Sequence, residues 1–494
     1  LRQAPVKPGQ AHCAKFHPSS PNRDRAMNAL LIRRRALAPL LAAALLAACA
    51  STPPPATPLP PIVFVHGNGD SAALWTPTVW RWESNGWPRE RLYAVHFPYP
   101  LARDDNTLPQ EGRSSTEDQR RFLAAEVDKV LAATGAPQVV LVGNSRGGNA
   151  IRDYIANGAS PVGGGAAKVS HAILGGTPNH GVQADPTVNP NNEFNGAGPF
   201  LLGLNAPKGP NGDEVTPGVR WMTVRSDNND KFAQPDGLWI GRKGKPTYVT
   251  FDGPALKGAD NLVLPGRDHR EVAYHPEAFA AAYRFVTGRA PANSAALYIT
   301  PEARVVLNGQ VGGYTAAGAS NLPLVGAQVA VYAVNAATGA RQGAALVDKT
   351  VGADGRWGPI TTDAKTPLEF VVQAPGFAVS HVYRAAFLRS SDTVHLRPER
   401  LAAADKDGGE GADAVVSFIR PRAYFGNPRD SVLIDGQPAP GIPVGVAGVA
   451  ASRVKRAAGR AVVGEFRSGV INERVVGQTW PAKDNQLTVL ELQD

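Results

Sequence analysis

At 494 residues the chain is too long for one ordinary core, and its 43% apolar content supplies material for two or three. The 52 Gly and 43 Pro imply many turns and a substantial β component. The formal charge of +9 does not indicate nucleic-acid binding: residues 1–48 hold eight Lys/Arg against Asp24 alone, so that segment carries +7 and residues 49–494 only +2, with no basic stripe.

In chain order, Leu1–Ala26 is expected to be upstream sequence without a structural role. Met27 then opens a charged stretch ending in Arg33-Arg34-Arg35. Residues 36–48 follow as an apolar run too short to span a bilayer but suited to a signal peptide, so 1–48 form one segment. The run ends in Leu46-Ala47-Ala48-Cys49, which resembles the lipobox of bacterial lipoproteins. That resemblance implies export, a diacylated Cys49 as the new N-terminus and a membrane partner held through its lipid. Ala50 and Ser51, where an aspartate would retain the protein at the inner membrane, favour the outer membrane or cell surface. The alternative is an unlipidated signal peptide with a chance cysteine. Cys13 falls in the discarded part, so the mature chain has no disulfide and depends on burial for stability. No CxxC, HExxH or EF-hand pattern occurs, so neither a metal nor a cofactor is expected.

Residues 49–61 comprise Cys49 and a Pro/Thr-rich linker, extended and semi-rigid. From 62 to 290, short apolar strands alternate with helices. Strands are predicted at 61–65, 91–97, 138–142, 169–174, 221–224 and 261–264. Helices are predicted at 117–134, stopped by Gly135, at 149–156 and at 276–286. The alternation implies an α/β fold with a doubly wound, mostly parallel sheet. It lapses at 181–218, an Asn/Pro/Gly-rich stretch with one apolar island at Phe200–Leu204. We read this as a cap over the active site, with a plain surface insertion as the alternative. Beyond it the helical pattern ends. Residues 296–403 read as an antiparallel β-sandwich, 404–413 as an acidic Gly-rich linker, and 414–494 as a second β-rich domain.

The chemistry concentrates in Val139-Val140-Leu141-Val142-Gly143-Asn144-Ser145-Arg146-Gly147-Gly148. An apolar strand runs into Gly-x-Ser-x-Gly and then into a helix, the context in which a tight turn presents a nucleophilic serine above the sheet. A Gly-rich turn after the first strand, Val65-His66-Gly67-Asn68-Gly69-Asp70, is placed to supply a backbone N–H to a developing oxyanion. The amides of Asn68 and Arg146 are the two candidate donors. A serine requires a histidine base and an acid to orient it, in the order Ser, Asp/Glu, His. His171, His180, His269, His275, His381 and His395 follow Ser145. Of these His269 lies in the loop after the last strand, and His275 is expected at a helix start. The acid should lie just beyond strand 221–225, where Asp230 is the first candidate. Asp227 is the runner-up, equally readable as a turn residue, and Asp236 is a distant third.

Together with Leu174-Gly175-Gly176-Thr177-Pro178-Asn179-His180-Gly181, these motifs resemble bacterial lipases and esterases of the α/β-hydrolase superfamily over residues 61–290. His66-Gly67-Asn68-Gly69-Asp70 is also similar to extracellular poly(3-hydroxybutyrate) depolymerases. Asn144 and Arg146 depart from the residues that often flank a lipase serine. Residues 297–400 resemble transthyretin-like or carboxypeptidase-regulatory sandwiches, and the order hydrolase-then-β resembles prokaryotic lipases whose β part helps bind lipid. The resemblance implies a serine carboxylic-ester hydrolase acting on an ester at a lipid or polymer surface, with Ser145, Asp230 and His269 as its catalytic residues. Polyester depolymerase is the competing enzyme reading, and a surface-anchored binding lipoprotein with an inactive hydrolase fold is the non-enzyme one. The Phe200–Leu204 island and Trp75, Trp80, Trp82 and Trp87 are candidate apolar surface for acyl chains or polymer, against the commoner role of tryptophan in a core.

Overall fold

The computed structural model describes residues 59–158, 164–292, 298–409 and 411–494. The expected signal segment, Cys49 and nearly all of the expected linker lie outside the described residues. The first strand, β1 (Ile62–Val65), is buried along its whole length, which is why its sequence is a continuous β-branched and aromatic run. Around it lie β2 (Leu92–Ala94), β3 (Val139–Asn144), β4 (Val169–Gly175), β5 (Arg220–Arg225) and β6 (Asp260–Val263), in the order β2-β1-β3-β4-β5-β6. Every neighbouring pair is parallel. The connecting helices are α1 (Thr76–Ser84), α2 (Thr116–Thr134), α3 (Arg146–Asn157), α4 (Pro199–Asn205), α5 (Glu271–Tyr274) and α6 (Pro276–Thr287).

The period-two alternation of β1 divides the core. Val63 and Val65 face one layer with Leu123 and Val127 of α2 and Ile151 and Ile155 of α3. Ile62 and Phe64 face the other with Trp75, Trp82 and Phe279. Each such side chain contributes about 1.5–3 kcal/mol by leaving water. Helix α2 starts at a reciprocal capping box between Ser115 and Asp118 and ends on Gly135 in the left-handed region. The chain runs from β1 outward to β2 and then returns to β3 on the other side of β1. Ligands in such sheets bind at the carboxyl ends of the strands where the order reverses. The Asn68 turn follows β1, and Ser145 follows β3, its neighbour.

Two expectations are corrected. Trp75, Trp80, Trp82 and Trp87 are all buried and offer no substrate surface. Trp82 packs edge-on to Trp87 with ring centroids 4.7 Å apart, and Trp75 meets Tyr274 at 4.6 Å. The stretch 404–413 does not separate two sheets. One seven-stranded sheet contains strands 328–333, 347–350, 368–373 and 379–384 from before it and 414–419, 451–456 and 486–491 from after it. Strand 486–491 runs parallel to both 379–384 and 414–419 and joins the halves, so this sheet is mixed rather than purely antiparallel. A four-stranded sheet (431–434, 437–438, 461–468 and 471–478) and two two-stranded sheets (305–307 with 360–362, and 312–315 with 318–323) make up the rest of the β region.

Candidate active site

Ser145 stands between β3 and α3 with φ 52° and ψ −123°, a left-handed backbone that a residue with a Cβ rarely adopts. Holding it there stores about 1–3 kcal/mol of local strain. The flanking glycines are required by close approach. A Cβ on Gly143 would lie 2.7 Å from Ile151 Cδ1 and 2.8 Å from the Gly148 nitrogen, and one on Gly147 would collide with the carbonyl oxygens of Val65 and His66. The Ser145 amide donates to the Gly175 carbonyl at 2.9 Å, so β4 also braces the turn.

Ser145 and His269 line one cavity of about 490 Å³, together with Asn68, Phe194, Phe232 and Tyr424. His269, in the loop between β6 and α5, is buried, and its Nδ1 lies 2.9 Å from Asp230 Oδ2. A carboxylate there accepts from Nδ1–H and leaves Nε2 as the proton-accepting nitrogen. The other Asp230 oxygen accepts from the Phe232 amide at 2.8 Å, and the Phe232 ring sits edge-on to the imidazole at 4.4 Å. Among the described residues Ser145 Oγ makes no hydrogen bond to His269, a contact that commonly tightens only once substrate binds.

Asp227 takes the turn role. Its Oδ1 accepts from the Asn229 amide at 3.1 Å and its Oδ2 from the Gly266 amide at 2.9 Å, so it ties the β5 loop to the His269 loop without touching the imidazole. Asp236 closes a similar turn on the Leu238 amide at 2.9 Å. The other histidines lie elsewhere. His275 caps α6 by accepting from the Glu277 amide, His180 meets Glu214, His171 contacts Arg220, His381 contacts Glu369, and His395 packs at a tilt against His96.

Asn68 lines the cavity, and its side-chain oxygen accepts from the Ala102 amide at 2.8 Å. Among the described residues neither the Asn68 nor the Arg146 backbone N–H is engaged in a hydrogen bond, so both remain available as donors. The turn that carries Asn68 is held by His66, whose Nδ1–H donates to the Gly67 carbonyl at 2.9 Å and whose Nε2 accepts from the Phe97 amide at 3.2 Å. Burial above all lowers the His66 pKa, to about 3, which keeps the ring neutral as these bonds require.

Several contributors carry no signal in the sequence. The Arg146 side chain is fully buried: Nε donates to Glu193 at 2.8 Å, and the guanidinium also holds the Pro100 and Ser114 carbonyls at 3.1 and 2.7 Å. It therefore fastens part of 181–218 to the nucleophile turn. Val182, Gln183, Val188, Asn189, Asn192 and Phe194 from that stretch line the Ser145 cavity. The Phe200–Leu204 island does not. It forms α4, with Leu201 and Leu204 buried and Arg152 of α3 donating to the Leu204 carbonyl at 3.0 Å. Asn144, also fully buried, donates to the carbonyls of Gly175 and His269 at 3.0 and 3.3 Å and so links strand and base loop.

The β region reaches the site too. Asp268 and Glu271, on either side of His269, are buried against Arg420 and Arg429. Arg420 lies 2.8 Å from Glu271, Arg429 lies 2.6 Å from it, and Asp268 accepts from the Tyr424 amide at 2.8 Å. Lys231, next to Asp230, lies 3.7 Å from the centre of the Tyr424 ring and donates to the Gly448 carbonyl at 2.9 Å. Burial, then the Arg270 charge, lowers the Lys231 pKa to about 8.

A parallel sheet of this order, with a strained serine between strand and helix, defines an α/β-hydrolase. Residues 60–214 match the class 2 lipase family, and residues 303–401 match the lipase C-terminal domain family. The protein is thus an α/β-hydrolase with a C-terminal β part, and its two matches to lipase families support a hydrolase acting on esters. No curated protein matches it. Among solved structures, the mature form of a Bacillus licheniformis lipase is 21% identical over 48% of this chain and 95% of its own, with a TM-score of 0.33. The propeptide form of the same lipase is 15% identical over 87% and 97%, with a TM-score of 0.34. A phospholipase of Legionella pneumophila is 12% identical over 88% and 93%, with a TM-score of 0.33.

Proposed function

We propose that the protein is a serine carboxylic-ester hydrolase acting by acyl transfer through Ser145, His269 and Asp230. The observation that carries this is the 2.9 Å His269–Asp230 contact in the loops that border the cavity of the strained Ser145. His269 Nε2 takes the Ser145 proton as Oγ attacks the ester carbonyl, and the imidazolium is stabilised by Asp230. The amides of Asn68 and Arg146 hold the oxyanion, each donor contributing about 3–4 kcal/mol to the barrier reduction. The imidazolium then protonates the departing alcohol, and water repeats the sequence on the acyl-enzyme. Ser145→Ala should abolish turnover of p-nitrophenyl butyrate and labelling by a serine-directed phosphonate. Wild-type turnover in this variant would refute the assignment, and absence of labelling in the native protein would favour a binding protein instead.

Phe194, Phe232 and Tyr424 give the cavity an apolar side suited to an acyl group. Emulsified triglycerides compared with polyhydroxyalkanoate film would separate a lipase from a polyester depolymerase, with hydrolysis of film alone ruling out the lipase. A lipid on Cys49 would keep the enzyme at a membrane surface. Metabolic labelling with palmitate, lost in Cys49→Ala, tests that placement.

A further inference from the structure

Behind the Asn68 turn lies a second cavity of about 300 Å³, enclosed by residues 69–80 of the hydrolase part, 310–321, 384–399 and 419–422. Asp70 and Arg270, an ion pair, belong to its wall and to that of the Ser145 cavity. Its lining is unusually cationic for an interior. Arg384 is matched by Glu491 at 2.7 Å and Arg270 by Asp70, but Arg397 and Arg422 have no carboxylate partner among the described residues. Arg397 donates only to the Ser320 carbonyl and Asn321 Oδ1, at 2.8 and 3.1 Å. Arg422 donates only to the carbonyls of Ala73 and Leu492, at 2.9 and 3.5 Å.

The side chains carry unmet hydrogen-bonding capacity as well. Nε of Arg384, Arg397 and Arg422 and Nε2 of His395 are buried without a partner among the described residues. Arg384 and Arg422 are only 7% and 8% exposed. The remaining carboxylate in the wall is Glu399, which also reaches outward to Arg453 at 3.3 Å. Four guanidiniums thus line the wall with three carboxylates, and the carboxylates that act on Arg397 (Asp70) and on Arg422 (Glu491, Asp494 and Glu473) do so from beyond ion-pair distance. A buried cation without an opposite charge is strongly unfavourable, and a planar oxyanion meets the fork of an arginine with two parallel hydrogen bonds.

We propose that this cavity binds a small oxyanion, a carboxylate or phosphate group, through Arg397 and Arg422. Burial lowers the pKa of His96 to about 4 and that of His395 well below its usual range, so both rings are neutral near pH 7 and add hydrogen bonds rather than charge. The volume of about 300 Å³ leaves ample room for such an anion.

The test uses the full-length protein in chloride, acetate, butyrate and inorganic phosphate at one ionic strength. Melting temperature and direct binding by equilibrium dialysis are read together. At least one oxyanion should raise the melting temperature above its value in chloride. The affinity for it should fall about tenfold or more in Arg397→Gln and Arg422→Gln, the scale of a lost charge-assisted hydrogen bond. Arg121→Gln, on the exposed face of α2, should keep the full response. Acetate or butyrate outperforming phosphate would identify a carboxylate site, and the reverse a phosphate site. Equal melting temperatures in all four salts with no oxyanion retained on dialysis would overturn the proposal with the wild-type protein alone. An undiminished response in both arginine variants would do the same.

Discussion

Replacing Arg420 with Met removes the guanidinium on which the buried carboxylates beside His269 converge. Arg420 is 0% exposed and donates to Glu271 at 2.8 Å, to Asp494 at 2.6 Å and to the Tyr424 carbonyl at 3.0 Å. Arg429 remains, 2.6 Å from Glu271 and 3.5 Å from Asp268, but it also serves Asp430 at 2.8 Å. Leaving buried carboxylates short of a partner costs about 3–5 kcal/mol, a large part of the roughly 5–15 kcal/mol that holds a domain folded. The cost should depend on pH in a definite direction. Burial drives the Glu271 pKa up, but Arg420 and then Arg429 more than offset it, so the net is a carboxyl held below its ordinary 4.5. A lowered folded-state pKa contributes stability above the unfolded value, and that contribution is lost as pH falls below it. Without Arg420 the folded pKa of Glu271 moves up, and Asp268, which burial and Glu271 already hold at about 6, loses one of the two guanidiniums that restrain it and rises further, so the variant is weakest at high pH and recovers as protonation relieves the buried charge. Urea unfolding should show a loss of about 3–5 kcal/mol at pH 8 and a clearly smaller one at pH 5. Where both proteins are folded, kcat for p-nitrophenyl butyrate should fall with KM little changed, because the loop that holds His269 loosens. A loss below about 1 kcal/mol, the same at both pH values, would refute the reasoning.

Asp230→Asn should lower kcat by about 10²–10⁴-fold with the fold intact, by analogy with removal of the acid from a Ser-His-Asp triad. Asp227→Asn should instead reduce stability while keeping most of the activity; the reverse pattern in paired kinetic and unfolding measurements would exchange their roles. Gly147→Ala should prevent formation of the turn, because its Cβ would meet the Val65 and His66 carbonyls, and should leave little soluble protein by circular dichroism and yield. Burial, then the Asp494 charge, pushes the Glu473 carboxyl up to about 8, so the folded state keeps a proton that the unfolded state releases from about pH 4.5 upward. Stability from this group therefore declines as pH rises from about 4.5 to about 8, and Glu473→Gln should flatten that slope and melt higher than wild type at pH 9.

The site's ingredients were legible where the signal is local. β1 and β3 announce themselves as apolar runs, α2 by its spacing and by Gly135, and the turn around Ser145 by glycines whose Cβ atoms would have no room. Sequence order alone put Asp230 and His269 in the loops after β5 and β6 and gave Asp227 its alternative reading as a turn residue. What it could not supply was any pairing between distant residues. A tryptophan reads the same whether it will be core or surface, and the burial of Trp75, Trp82 and Trp87 follows only from which helices pack over the sheet. The stretch 404–413 has the composition of a linker, yet strand 486–491 enters between its two sides, a choice made by backbone pairing across some hundred residues. Arg146 looked important for its amide alone; the partner of its side chain, Glu193, is 47 positions away.

The sequence by itself therefore determined the local geometry: a serine on a tight turn, the strands that lead to it, and the loops from which an acid and a base are offered. Tertiary structure alone decided the company those residues keep. Asp268 and Glu271 meet Arg420 and Arg429 some 150 positions along the chain, and Tyr424 enters the wall of the Ser145 cavity from the β region. The physical reason is that turns and periodicities are governed by nearest-neighbour sterics, written residue by residue. Charge pairing and packing between remote segments depend on where the whole chain closes, and no short window of sequence encodes that.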